Sequence, residues 1–350
     1  LKRKSLAVLL VGVLTMSILL TACGSNDAGD TGDAAVDFYA GLVTDIGGID
    51  DKSFNQGTWE GLQVFSEETG ADINYLQSEE DADYEPNLSA FADEGADLIV
   101  APGFLFQDAM KEAASNFPEQ NFLVIDTVVE APNVASALFA EHEGSFLVGA
   151  AAALKAQEAG EDTVGFIGGV DSEAIQKFEA GFEAGVSAVD SNMNILIEYA
   201  GAFDNAQTGQ ALAARMYDQG AYAIYHAAGG TGNGLIREAR ERRTNGEDVW
   251  AIGVDRDQYE DGIYDGDKSA ILTSMLKRVD TASYEVANLT LDGEFPGGEL
   301  LTFDLANEGV ALPENNPNLS DEIVEKVQEF IPQITSGELE ISPVPLRVQE

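Results

Sequence analysis

Between Thr44 and Gly57 the chain reads T-D-I-G-G-I-D-D-K-S-F-N-Q-G, a run holding the residue types that a small-molecule site needs. Two glycines open a loop after the apolar run Phe38–Val43. Asp, Lys, Ser, Phe, Asn and Gln then lead into a segment with helical character, Phe54 to Glu68. An exposed aromatic ring beside a carboxylate and an amide can stack on a flat ring and read its edge by hydrogen bonding. The same residues also fit a plainer arrangement, a polar loop with Phe54 packed as a staple at a helix start. A second set of candidates comes from the ends of strand-like runs, because ligands in open α/β sheets sit beyond the carboxyl ends of strands. That rule selects Asp45, Asp126 after Phe122–Ile125, Phe203 and Asp204 after the run ending at Ala200, Gly229 and Gly230 after the run ending at His226, and Asp255 after Trp250–Val254; Lys277 joins them from just past a predicted crossing between domains near 272–274. Singly, each Asp can simply cap the next helix; as a set facing one cleft they are better explained by a ligand.

The elements that must position these residues are legible as alternation. Short apolar runs at Phe38–Val43, Ile73–Leu76, Leu98–Ala101, Phe122–Ile125, Val164–Ile167, Ile195–Tyr199, Tyr222–Tyr225 and Trp250–Val254 read as strands, with helical patterns between them. Asp204-Asn205-Ala206-Gln207 is placed to form a capping box before a helix carrying Leu212 and Met216. Ser320 is placed to cap one carrying Ile323, Val327 and Phe330, with Asp321 and Glu322 at its positive end. This order predicts an α/β protein with parallel sheets covered on both faces. Two comparable halves, 36–138 and 139–271, are followed by a strand–helix unit and a final segment.

The run D-D-K-S-F-N-Q-G resembles the signature of the basic membrane protein family, the purine nucleoside receptor-like binding lipoproteins of bacterial ABC importers. The resemblance extends from about residue 36 onward. It implies a type I periplasmic-binding-protein fold: two doubly wound parallel-sheet domains, 36–138 plus 274–298 and 139–273 plus 299–350, joined by a three-segment hinge with crossings near 137–140, 272–274 and 298–301. It further implies that Phe54 and Phe203 sandwich a nucleobase, that Asp45 and Asn55 bond its edge, and that Asp126 and Asp255 accept from ribose hydroxyls. Lys277 would donate to the sugar and pair with a carboxylate, and the backbone at Gly230 would approach the sugar. The implied partners are a nucleoside and an ABC permease. No cofactor, metal or catalytic residue is implied.

The first residues carry a separate message. Lys2, Arg3 and Lys4 precede the apolar stretch from Leu6 to Leu20, and Leu20-Thr21-Ala22-Cys23-Gly24 resembles a bacterial lipobox. Residues 1–22 are therefore expected to be a lipoprotein signal peptide, Cys23 the lipidated residue that anchors the domain on the extracytoplasmic side of the membrane, and 23–35 a flexible tether. Leu1 is expected to reflect a non-ATG start codon. Cys23 is the sole cysteine, so internal disulfides and cysteine-based zinc sites are excluded.

The chain has 62 acidic and 18 basic side chains, and loss of the three leader cations takes the net charge from −44 to −47. Such a surface disfavours nucleic acid and anionic lipid, and its self-repulsion suits a monomer. The run Gly229–Gly234 lacks the spacing of a phosphate loop, and Tyr259 breaks a calcium-loop pattern in the acidic stretch 255–267. His142 and His226 are too far apart to form a helical zinc pair. A binder of another solute such as a sugar, a nucleoside hydrolase using Asp45, Asp50 and Asp51, and a surface sensor or adhesin remain open at this level.

Overall fold

The computed structural model describes residues 36–349; the expected signal peptide, the lipidated Cys23 and the tether lie outside them. The chain begins with β1 (Tyr39–Val43), α1 (Phe54–Thr69), β2 (Asp72–Leu76), α2 (Tyr84–Glu94), β3 (Leu98–Pro102), α3 (Gln107–Asn116), β4 (Phe122–Ile125) and β5 (Val134–Phe139). It continues with α4 (Glu141–Ala159), β6 (Thr163–Gly168), α5 (Glu173–Val189), β7 (Asn194–Tyr199), α6 (Ala206–Asp218), β8 (Ala223–Ala227), α7 (Gly232–Thr244) and β9 (Trp250–Asp255). A small hairpin of β10 (Ile263–Asp265) and β11 (Lys268–Ser269) precedes β12 (Ile271–Lys277), α8 (Val279–Leu291), β13 (Leu300–Phe303), β14 (Val310–Ala311), α9 (Asp321–Gln328) and α10 (Phe330–Thr335).

Two six-stranded sheets organise these elements into two lobes, with orders β13-β5-β4-β3-β1-β2 and β14-β12-β9-β8-β6-β7. The ladders of the first sheet are parallel; in the second only β14 runs antiparallel to its neighbour β12. Central strands such as β3, β4 and β9 are buried along their whole length. That is why they read as continuous apolar runs rather than as alternation: helices cover both faces. The α/β architecture expected from the sequence, two parallel-dominated sheets in two lobes, is the one observed. Ser320 caps α9 as expected, accepting from Ile323 N–H, whereas α6 is capped by Asn205, which accepts from Thr208 N–H, and not by a box starting at Asp204.

The chain changes lobe at 139–141, at 277–279 and at 304–309, so two of the expected crossings need correction. β12 does not cross at 272–274. It stays in the second sheet as far as Lys277, because its register on β9 pairs Ser274 with Gly253 and Leu276 with Asp255. Leu300–Phe303 does not begin the return to the second lobe at 298–301. It completes the edge of the first sheet against β5, Ser136 to Phe139, and the return follows it. The hinge is thus built from strand ends that bond one another. Ala140 N–H donates to Phe303 O at 2.8 Å, Arg278 N–H donates to Gly309 O at 2.9 Å, and the rings of Phe139 and Phe303 stack 4.8 Å apart.

Candidate ligand-binding site

Asp51 caps α1 and thereby sets the first wall. One carboxylate oxygen accepts from the N–H groups of Ser53 (2.9 Å) and Gln56 (3.1 Å), and the other from Asn55 N–H (2.8 Å). A carboxylate satisfying several free donors at the positive end of a helix is stabilising. Here it also fixes the first helical residue, Phe54, whose side chain lines a cavity of about 570 Å³ between the lobes. Asn55 faces inward: its Nδ2 donates to Asp45 Oδ1 (2.7 Å) and Asp51 Oδ2 (3.0 Å), and its Oδ1 accepts from Asp45 N–H (3.1 Å). Both amide hydrogens of Asn55 go to Asp45 and Asp51, so it acts as a strut that orients Asp45, and the second lone pair of its Oδ1 is what it has left for a base edge. Gly47 N–H also donates to Asp45 Oδ1 (2.8 Å), which leaves Asp45 Oδ2 without a partner among the described residues.

Asp45 Oδ2 would lie 3.4 Å from a Cβ on Gly103, whose φ of +122° only glycine adopts readily. Any side chain there would enter the cavity between Asp45 and Phe54. Burial pushes the Asp45 carboxyl up to about 6 against the bonds from Asn55 and Gly47.

The charged floor comes from four strand ends or helix starts. Lys277 ends β12 and is buried. Its Nζ lies 2.5 Å from Asp126 Oδ2 and 3.0 Å from Glu141 Oε1. It also lies about 5 Å over the rings of Phe54, Phe139 and Phe178, at 5.0, 5.0 and 5.3 Å. Burial works against its charge, but Asp126, Glu141 and Asp255 outweigh burial and raise its pKa. Glu141 is opposed by the same burial and is nevertheless lowered, by Lys277 and Lys177. Asp126 is raised by burial, with Lys277 only partly offsetting it, and its Oδ1 is buried with no partner among the described residues. Burial pushes Asp255 up to about 7 despite Lys277 and a hydrogen bond from Ser53. Both Asp126 (φ 68°) and Asp255 (φ 67°) sit in the left-handed region, a strained conformation that gathers at ligand sites.

The lobes meet around the cavity. Ser53 Oγ donates to Asp255 Oδ2, Gln258 Nε2 to Lys52 O (2.9 Å) and Asn233 Nδ2 to Asp51 O (3.0 Å), while Lys52 Nζ pairs with Asp261 (2.6 Å). Phe104 meets Phe203 edge-on across the cleft, centroids 6.3 Å apart. Of the candidate residues, Asp45, Phe54, Asn55, Asp126, Phe203, Asp255 and Lys277 converge on the cavity. Gly230 does not: Gly229 lines the cavity, whereas a Cβ on Gly230 would come 3.9 Å from Gly47 O and Asp51 Cβ, at the seam between the lobes. Asp204 is exposed, beyond the cavity.

The structure adds Phe104, Ile175 and Phe178 to the lining. Phe104 follows β3 and obeys the strand-end rule that found the others. Ile175 and Phe178 carry no signal in sequence, because on α5 they look like ordinary core positions. His226 is fully buried, bonded through Nε2 to Gln258 Oε1 (3.0 Å), and burial pushes it down to about 4.

Two α/β lobes joined by three strand connections, with a largely apolar cavity shut between them, define a solute-binding protein. Residues 39–343 match the family described as ABC transporter substrate-binding protein PnrA-like, and the chain belongs to that family. It is 41% identical to the CD4+ T-cell-stimulating antigen of Listeria innocua, over 98% of this chain and 100% of that protein. It is 38% identical to the ABC transporter nucleoside-binding protein BmpA of Lactococcus lactis subsp. cremoris, over 97% of this chain and 99% of that one. Among solved structures, an ABC transporter solute-binding protein from Aeropyrum pernix superposes with a TM-score of 0.78 at 27% identity, covering 87% of this chain and 93% of the other.

Proposed function

We propose that this chain captures a purine nucleoside in the interlobe cavity and delivers it to an ABC permease, with Cys23 lipidated to hold it on the outer face of the cytoplasmic membrane. One observation carries the reading. Aromatic faces from both lobes (Phe54, Phe203) share one interlobe cavity with carboxylate oxygens that lack partners among the described residues, Asp45 Oδ2 and Asp126 Oδ1. A flat base stacked on Phe54 gains on the order of 1–3 kcal/mol from the ring. Asp45 accepts from N–H groups on the base edge, and Asp126 and Asp255 accept from sugar hydroxyls. A nucleotide is disfavoured because its phosphate would meet three carboxylates with Lys277 alone to offset them. The name of the Lactococcus relative, a nucleoside-binding protein, points to the same ligand class.

A ligand touching both lobes stabilises the closed state it bridges, and the permease then recognises the closed face. The family is one of transporter binding proteins rather than of enzymes, and in this reading the chain does no chemistry on its ligand. Among the described residues no helix is long and apolar enough to cross a membrane, so in this reading the lipid on Cys23 supplies the attachment.

The test is a thermal-shift and calorimetric screen with inosine, guanosine, adenosine, hypoxanthine, inosine monophosphate and ribose. A ligand at a hundredfold excess over its Kd adds about 2.7 kcal/mol. Stabilisation by nucleosides with little effect of ribose or the monophosphate supports the reading. Stabilisation by sugars alone would remove the stacking role, and release of hypoxanthine from inosine would overturn the binding-protein mechanism.

A further inference from the structure

The cavity wall that carries Ile175 and Phe178 is the first part of α5, and α5 has an unusual seating. It packs on α4 through glycines with no room for a side chain. A Cβ on Gly181 would come 2.2 Å from His142 O, one on Gly185 2.0 Å from Phe146 O, and one on Gly149 2.4 Å from Phe182 O. Such a seam sets the distance between two helices closely. Along the glycines themselves no side chain interlocks, so register there depends on what holds α5 on either side of them.

The polar contacts of Arg347 supply that register from the far side. Its guanidinium forks onto Asp171, just ahead of the α5 cap Ser172, at 2.6 and 3.1 Å. It also reaches both oxygens of Glu179, two turns along the helix, at 2.8, 3.1 and 3.0 Å. Glu179 is 0% exposed, and Arg347 is its one cationic partner among the described residues. Tyr199 completes the group: its hydroxyl donates to Glu179, and the guanidinium carbon stands 4.9 Å over its ring. The neighbouring Leu346 N–H donates to Glu183 at 2.9 Å, a third hold on the same helix. Phe178 adjoins Glu179 in sequence, and Ile175 lies one turn earlier.

We propose that Arg347 is a positioning residue for the ligand cavity: by clamping Asp171 and Glu179 it sets the seating of α5 and so holds Ile175 and Phe178 in the wall that closes on the ligand. A planar fork binding two carboxylates fixes orientation in a way that a point charge does not. Wall residues a fraction of an ångström out of place contact a bound ring less closely, and release it sooner.

The experiment compares R347Q, R347K and a control, R243Q, in the full chain. Arg243 pairs with Asp248 and stacks on Trp250 in the same lobe, away from α5. Inosine, the probe taken from the function proposed above, is titrated by calorimetry and its dissociation followed by stopped flow. Amide exchange is read over 173–180 in the free protein. For R347Q the expected result is a Kd raised about tenfold, chiefly through faster dissociation, with faster exchange over 173–180. R347K recovers only part of the affinity. R243Q lowers Tm and leaves both readouts at the wild-type level.

An R347Q variant with a lowered Tm but an inosine Kd within about twofold of wild type would show a merely structural tie and overturn the proposal. If R347Q does not fold, the pair E179Q/R347Q removes the stranded charge together with its partner and carries the same measurements. If the wild-type chain binds no inosine, the nucleoside reading fails by itself. The exchange readout then decides the clamp: faster exchange over 173–180 in R347Q alone supports it, and unchanged exchange overturns it.

Discussion

Lys277 satisfies only half of Asp126. Its Nζ lies 2.5 Å from Oδ2, while Asp126 Oδ1 is buried and unpartnered among the described residues. A buried carboxylate oxygen left without a donor costs free energy that a ligand hydroxyl recovers. Inosine lacking the hydroxyl that meets Asp126 should therefore bind more weakly than inosine by roughly 1–3 kcal/mol. In D126A the deoxy and ribo forms should bind nearly alike. Calorimetry with 2′- and 3′-deoxyinosine on both proteins checks this and assigns the hydroxyl; an undiminished difference in D126A would clear Asp126 of the role.

Phe54 opens α1 at the cap formed by Asp51, and its ring packs only partly buried at the edge of the core. F54A should accordingly reduce inosine affinity by about 1–3 kcal/mol, the contribution of one stacked base, with little change in the Tm of the free protein. If Tm falls and affinity holds, Phe54 is instead the helix staple that the sequence also allowed.

Asp255 and Asp45 make opposite use of pH from most structural carboxylates. Burial raises them to about 7 and about 6, above the ordinary value of 3.8, so the folded chain binds more protons than the unfolded one between those limits. Their contribution to stability is thus greatest near pH 4 and is lost as pH rises, for Asp255 up to about 7. His226, lowered to about 4 by burial, runs the other way between about 4 and 6.5. The difference between wild type and D255N removes that opposing trend. Urea unfolding across pH 4.5–8 should show D255N gaining on wild type as pH rises; parallel curves would mean that Asp255 titrates normally.

The lobes also bond each other directly, through Asn233 to Asp51 O and Gln258 to Lys52 O. Asn233 does not itself line the cavity, and Asn233→Ala removes one such bond, the one to the backbone of Asp51. It should open the free protein, seen as a larger radius of gyration by small-angle scattering, and raise the inosine Kd through faster dissociation. The closed complex at saturating inosine should match wild type.

Much of this architecture was legible in one dimension because burial on both faces writes itself into composition. β4 is Phe122–Ile125 in both readings, and β3, β6 and β9 differ by a residue or two at their ends. Asp45, Asp126 and Asp255 were found because strand ends in such folds point toward the cleft, a rule of topology that needs no coordinates. β5 is not legible as a strand and β12 only as the start of a strand–helix unit, because their runs, V-A-S-A-L-F and I-L-T-S-M-L-K, mix small and polar residues. Their strand state is decided by pairing with β4 and β9.

The sequence by itself determined the fold class, the acidic surface, and the residue types that reach the cavity, since those depend on local periodicity and strand ends. Only the tertiary structure decided how their hydrogen bonds are shared. It alone shows that both amide hydrogens of Asn55 go to Asp45 and Asp51, that Gly229 rather than Gly230 lines the cavity, and that Lys277 serves Glu141 as well as Asp126. Hydrogen-bond capacity is finite, and which donors and acceptors remain for a ligand follows only after every neighbour in space has taken its share.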